Sequence, residues 1–451
     1  MGKKQILLNA FQMNCVGHMH HGLWTHPQDR SIFFNDLDYW TDLAKTLERY
    51  LFDGIFIADG LGHYDVYKGN LDITLKESVQ LPDNDPWTLV SAMAAVTRHL
   101  GFGITSTVRA ENPYAFARRV SSLDHLTKGR IGWNIVTGFI DSGARGLGDD
   151  GLEPHDERYD RADEFLEVAY KLWEGSWADD AVAVDRKNRE YARPERVRAI
   201  EHNGKYYRSN AVHGSSPSPQ RTPVLFQAGA SDRGQAFTGK HAEAAFISVP
   251  TIEHTRELSR KIRQAAVNAG RRADDIKVFG GLAVVTAATQ KLAREKYEEY
   301  LQYASSEGNL THFAGSTGID FSKFDLDEPI DYSVSNHIKT CADFAADKQL
   351  TLRDLLREKT LNLHYHTIVG DGVRVADEIE RWIDEGELDG INLSRVVTPG
   401  SYEDFGQYVV PELQNRGRFK TAYGEGTLRN KIFGSDRLNE RHPSAQYRFW
   451  K

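Results

Sequence analysis

The chain has 451 residues and a formal net charge of −8, from 56 basic and 64 acidic side chains, which argues against a nucleic-acid role because such a role usually needs a basic face. Hydrophobic residues make up 40% and charged residues 27%, enough apolar material for a large core with an ordinary surface. Only two cysteines occur, Cys15 and Cys341, so a disulfide framework is not expected and a reducing compartment fits.

Taken in order, Gln5–Phe11 (QILLNAF) is an apolar strand, followed by a long connection carrying Cys15, His18, His20, His21, Trp24 and His26. Asp36–Tyr50 places Leu37, Trp40, Leu43 and Leu47 at helical spacing, and Gly54–Asp59 (GIFIAD) reads as a buried strand ending in a carboxylate. After a loop over Gly60–Asp85, a helix is predicted through Trp87–Leu100, then a strand at Gly101–Thr107 and a helix at Pro113–Lys128. Gly129 suits the left-handed backbone of a helix C-terminus, so a strand can start at once in the stretch LTKGRIGWNIVT. There Gly132, Asn134 and Val136 share one face; a buried amide must be hydrogen-bonded, so Asn134 either braces a loop or meets a ligand.

The alternation continues. Glu157–Glu174 reads as a helix; Pro223–Gly229, Ala244–Val249 and Ile276–Val285 read as strands, with helices at Asp232–His241 and Ile252–Ala269 between them. Val373–Glu385 and Gly390–Leu393 form a last helix–strand pair, followed by a segment at Tyr402–Arg416. Buried strands separated by helices imply a parallel sheet, and eight of them give the count of an α/β, (β/α)8 TIM barrel. Two stretches break the repeat and read as insertions on one barrel domain: Ser176–Thr222, polar and strand-poor, and Thr289–Gly370, mostly helical. The tail Gly417–Lys451 is expected to wrap a surface or a partner subunit. No apolar run approaches the ~18–20 residues of a membrane helix. The start MGKKQILLN has no signal-peptide core, and Ile6 spoils a myristoylation pattern, so a soluble cytoplasmic protein is expected.

Four motifs invite chemical readings. Gly146–Gly151 (GLGDDG) has dinucleotide-like glycines, but Asp149 and Asp150 would repel a pyrophosphate, so it is read as a flexible loop. The histidines 18, 20, 21 and 26 with Cys15 match no structural zinc spacing, and a polar loop over an active site is the better reading. His155 and Tyr159 lie four apart on one helix face, with Asp156 placed as an N-cap; they could donate to a phosphate or a flavin edge. Ala228–Gly234 (AGASDRG) is either a phosphate cradle using Ser231 and Arg233 or a plain turn between strand and helix.

Together the segments LERYLFDGIFIADG, SLDHLTKGRIGWNIVT, HDERYDRADEFLEV, KLWEGSW, SPQRTPVLFQAGASDRG and VVPELQNRGRF resemble the bacterial-luciferase-like flavin-dependent monooxygenases. The resemblance is to the branch with nitrilotriacetate, dibenzothiophene sulfone, long-chain alkane and dimethyl sulfide monooxygenases. It implies a luciferase-like barrel binding FMN as FMNH2, with O2 as co-substrate activated as a flavin C4a-hydroperoxide. It also implies a separate NAD(P)H:flavin reductase and a homodimer or homotetramer. By position, Asp59, Thr105 or Thr107, Asn134, His155, Tyr159 and Ser231 would surround the flavin. Cys15, His18, Tyr64, Gln80 and His312 match the substrate-pocket pattern of the alkane enzymes, while Phe139 stands where that pattern has a histidine. The departure puts long-chain alkane hydroxylation in doubt, leaving a small apolar or organosulfur substrate as the main expectation. An alkane hydroxylase or a catalytically silent flavin-binding barrel are the alternatives.

Overall fold

The computed structural model describes residues 3–229, 231–325, 327, 351, 353, 361 and 365–448. All eight expected strands form: β1 (Leu7–Met13), β2 (Gly54–Ala58), β3 (Gly101–Thr107) and β4 (Ile131–Val136) in the first part of the chain. Ser176–Thr222 then adds β5 (Val182–Asp185), β6 (Glu190–Ala192), β7 (Ile200–Asn203) and β8 (Arg208–Ala211). The rest are β9 (Val224–Gln227), β10 (Ala244–Ser248), β11 (Lys277–Thr286), β12 (His366–Gly370) and β13 (Gly390–Ser394). Strands β1, β2, β3, β4, β9, β10, β11 and β13 pair in parallel in that order, and β13 returns to β1 through Leu7↔Gly390 and Phe11↔Ser394, closing the barrel. Helices lie between successive strands. β12 lies outside this ring, pairing with residues 282–286 of β11 beyond the end of the β10 register.

The interior of the barrel is aromatic. Phe11, Phe56, Phe226 and Phe246 meet at centroid distances of 5.0–5.8 Å, the edge-on spacing that aromatic rings prefer. Two inward glycines make room: a Cβ at Gly132 would lie 2.7 Å from the Phe226 ring, and one at Gly101 2.5 Å from Leu428. On the outer side of the sheet, Trp133 of β4 packs with Phe116, Phe165 and Trp173 of the helix layer. The turn into β4 forms as expected, with Gly129 at φ 82° and its N–H donating to Asp124 O.

Three expectations are corrected. Ser176–Thr222 is not strand-poor: β5–β6 and β7–β8 are antiparallel hairpins, too short and too exposed to carry an apolar alternation. They are held by side chains instead, the Glu164 carboxylate accepting the N–H groups of Lys205, Tyr206 and Tyr207. The helix expected through Leu100 ends at Ala95, because the Glu48 carboxylate captures the N–H groups of Arg98, His99 and Leu100. The tail does not simply wrap a surface. Its helix Leu428–Phe433 inserts Leu428 and Ile432 into the aromatic core from the end where the strands begin. Arg429, 1% exposed, bonds both carboxylate oxygens of Glu243 and the carbonyls of Gln220, Thr222 and Pro223.

Within Thr289–Gly370 the described residues form the helices Gln290–Leu301 and Ser306–Thr317, a short turn at Phe321–Lys323 and strand β12; Cys341, with most of 326–364, and 449–451 lie outside the described residues. Among the described residues no helix is long and apolar enough to cross a membrane.

Candidate active site

The ends of β2, β3 and β4 open into a cleft lined by Asp59, Thr107, Arg109, Val136, Phe139 and Leu147. One step below it, Asn134 Nδ2 donates to Thr105 Oγ1 at 3.0 Å, while Asn134 Oδ1 is buried and has no hydrogen-bond partner among the described residues. Bracing therefore uses only half of this amide. Burial, with Asp83 and Asp85 nearby, pushes the Asp59 carboxyl up to about 7, and burial lifts Asp83 to about 6. Arg109 is paired with Asp149 and, at 2.7 Å, with Glu153. The glycines of Gly146–Gly151 fall at the end of the helix Asp141–Gly146 and in the turn after it, not between a strand and a helix.

Beside the cleft, the helix His155–Tyr170 brings a second group together. His155 Nδ1 lies 2.7 Å from Asp156 Oδ1, its Nε2 lies 3.2 Å from Ser231 Oγ, and its ring stands 5.2 Å from Tyr159. The N-cap is Pro154, not Asp156: the helix starts two residues earlier than its acidic turn suggests. Ser231 caps the helix Asp232–His241 through the Gly234 N–H; Ala230 lies outside the described residues. Arg233 does not complete a cradle, because Asp160 and Asp163 on the neighbouring helix draw its guanidinium away at 2.9 and 2.7 Å.

The third group lies under the helix Ser306–Thr317. The Tyr64 hydroxyl donates to Gln80 Oε1 at 2.9 Å, and Gln80 Nε2 donates to the His18 carbonyl at 2.9 Å and lies 3.3 Å from His312 Nε2. The Tyr64 and His312 rings are 5.2 Å apart. Gln80 adopts φ 53°, a left-handed backbone uncommon for a non-glycine residue, secured by its N–H bond to Gly17 O. Cys15 donates its thiol to the same Gly17 carbonyl at 3.2 Å, and burial pushes the thiol up to about 12. It stays protonated near neutrality, so it shapes this chamber without acting as a thiolate. Tyr64 packs with Val79 and Ile140, which joins the chamber to the cleft.

Two participants lack a sequence signal. Asp83 sits in an unremarkable loop, and His21, whose Nε2 lies 3.0 Å from His312 Nδ1, looks no different in sequence from its neighbours. The four histidines disperse, His26 going to Glu299. Among the described residues no group of three or more His, Cys, Asp or Glu could hold a metal ion.

Residues 13–386 match the family described as luciferase-like monooxygenase. The chain belongs to that family. It is 48% identical to the dimethyl-sulfide monooxygenase of Hyphomicrobium sulfonivorans, over 99% of this chain and 94% of the relative. The crystal structure of that enzyme superposes with a TM-score of 0.94, covering 99% of this chain and 96% of the other. Identity to the long-chain alkane monooxygenase of Geobacillus thermodenitrificans is 45%, over 99% and 98% of the two chains. A riboflavin lyase solved with modified FMN and riboflavin gives a TM-score of 0.91 at 38% identity, covering 99% of this chain and 100% of the other. Like its relatives in the family, this protein is a flavin-dependent monooxygenase on a (β/α)8 barrel.

Proposed function

We propose that this protein is the oxygenase half of a two-component system, using FMNH2 and O2 to oxygenate a small neutral apolar or organosulfur substrate. The observation that carries the reading is Asn134 Oδ1, a buried acceptor left unpartnered by the described residues at the barrel end where Asp59, Thr107 and the cleft converge. A buried polar atom without a partner is rare in a folded chain, and a ring N–H of a flavin is the donor it suits. His155, Tyr159 and Ser231 would donate to the flavin phosphate. When bound, reduced FMN supplies the electrons that let O2 pass one oxygen atom to the substrate and the other to water.

The remaining chemistry belongs to this chain's residues. Asp59, with a carboxyl that titrates at about 7, can hold or release a proton beside the cleft. Tyr64, Gln80 and His312 form a buried hydrogen-bond chain that can orient a polar group and take up a proton from it. The helix carrying His312 covers this chain and excludes water, which favours oxygen transfer over release of hydrogen peroxide. The cleft rim is apolar, with Leu61, Phe139 and Leu147 each more than two-fifths exposed. Its arginine is already neutralised by two carboxylates, so an anionic substrate would meet Asp59 and Asp83 without compensation.

A separate NAD(P)H:flavin reductase is part of the proposal, supported by the placement of Gly146–Gly151 in a turn ion-paired through Asp149. We further propose one barrel domain carrying both insertions and a cytoplasmic homo-oligomer. The exposed Ile32, Phe33 and Leu37 support the last point as an apolar contact patch. The test is oxygen uptake by the full chain with FMN, NADH and a flavin reductase, comparing dimethyl sulfide, a long-chain alkane and nitrilotriacetate. Product from a neutral substrate is expected. Binding of FMNH2 without any oxygenated product would make the protein a silent flavin binder, and preference for the tricarboxylate would overturn the substrate class.

A further inference from the structure

The helix Ser306–Thr317 meets the chamber with its backbone. A Cβ at Gly308 would lie 2.7 Å from His21 Cβ, and one at Gly315 would lie 1.9 Å from the Tyr64 ring. Glycines four residues before His312 and three after it therefore fix that imidazole between His21 and Tyr64. His21 is fixed from its own side as well, since its carbonyl accepts the Ser305 N–H at 2.9 Å, and Ser305 caps the helix that bears His312.

The hydrogen bonds around His312 have a direction. The His18 carbonyl can only accept, so the Gln80 amide must turn its NH2 toward it and its oxygen toward the Tyr64 hydroxyl. That same NH2 faces His312 Nε2 at 3.3 Å, which makes Nε2 an acceptor and leaves the proton on Nδ1. His312 Nδ1 in turn faces His21 Nε2 at 3.0 Å, with the two rings perpendicular. An acceptor is what an Nδ1–H needs there.

We propose that His21 is a positioning residue for the oxygenation reaction: it accepts from His312 Nδ1–H and so holds His312 in the Nδ1–H tautomer with Nε2 as the lone-pair face toward the chamber. The role rests on the monooxygenase reading above, but the tautomer does not. With Nε2 unprotonated, His312 receives a proton from the chamber and passes one on through Nδ1 to His21, without either ring turning. No proton has to cross the helix above.

The full chain, labelled with ring-15N histidine and studied with and without FMN, gives the tautomer directly from two-bond 1H–15N spectra. The His312 signals are identified by their loss in His312→Gln. Wild type is expected to show Nδ1–H at His312. His21→Gln, which keeps an acceptor oxygen at similar reach, should retain that pattern and most of the product formed per NADH. His21→Phe, which fills the space without an acceptor, should move the proton to Nε2 and lower product per NADH several-fold with FMNH2 affinity unchanged. Nε2–H in the wild type overturns the proposal, and so does a Gln variant that behaves like the Phe variant, since packing alone would then explain His21. If His21→Phe fails to fold, the wild-type tautomer and the Gln variant still decide. An Nδ1–H tautomer in a protein that oxygenates nothing would leave this pairing standing and remove the proposed function instead.

Discussion

Asn134 and Thr105 share a single hydrogen bond across neighbouring barrel strands, from Nδ2 to Oγ1 at 3.0 Å, and the other half of the Asn134 amide meets no partner among the described residues. The strand pairing Thr105↔Asn134 fixes both side chains on the inner face at the same height. Asn134→Leu keeps the volume and removes the free acceptor. Flavin affinity should fall about tenfold, roughly 1.4 kcal/mol, within the range for a hydrogen bond in a buried site. A fluorescence titration with FMN measures it, and an unchanged dissociation constant would reduce Asn134 to a brace.

Asp59 makes stability depend on pH in an unusual direction for a carboxylate. Its folded pKa of about 7 lies above the ordinary aspartate value of 3.8, so the folded protein holds a proton that the unfolded chain has lost. Stability from this group is full below about pH 4 and declines as pH rises toward 7, by less than the one-proton limit of about 1.4 kcal/mol per pH unit because the side chain keeps some solvent contact. Asp59→Asn should flatten this part of the stability–pH curve and raise the melting temperature at pH 8 relative to wild type. Equal pH slopes in urea titrations of the two proteins would remove Asp59 as the cause.

Gly315 touches Tyr64 with no space for a methyl group. Gly315→Ala should lift the covering helix and cost about 1–3 kcal/mol, as overpacking usually does. Hydrogen peroxide release per NADH should rise while FMN affinity stays the same. Gly146→Ala, with no atom within 4 Å of the added methyl, is the control and should change neither quantity.

Arg429 and Glu243 form a buried pair at 2.7 Å. Arg429→Ala strands that carboxylate and should destabilise the fold by about 3–5 kcal/mol, while Arg429→Met with Glu243→Gln should recover much of the loss. Chemical denaturation reads both. A small effect of the single change would mean that the tail helix contributes little to the closed barrel.

The sequence makes the barrel legible because parallel strands are apolar on both faces and end at recognisable turns. β3 spans the predicted Gly101–Thr107, β4 starts directly after the Gly129 turn, and the helix Asp232–His241 matches residue for residue. Of the candidate site residues, Tyr64, Gln80 and His312 do meet, although 232 residues separate the last two. What spacing does not encode is direction. His21 differs from His20 and His26 only in which way the loop turns, and that turn depends on Gly17 and Gly22 meeting other loops. The hairpins of Ser176–Thr222 and the six-residue helix Leu428–Phe433 are too short for any hydrophobic period to emerge.

The seal at the foot of the barrel also orders events on the ribosome. β13 and the helix Leu428–Phe433 are made last among the parts that enclose the phenylalanine-lined interior. A nascent chain that has finished β1 to β11 still lacks the strand that joins β11 to β1 and the side chains that fill the space beside Gly101. Until those late residues emerge, the aromatic interior stays open at its foot and along one seam, an adhesive surface that holding chaperones bind. Yield in cells should therefore track chaperone supply and growth temperature more steeply than the stability of the finished barrel would suggest.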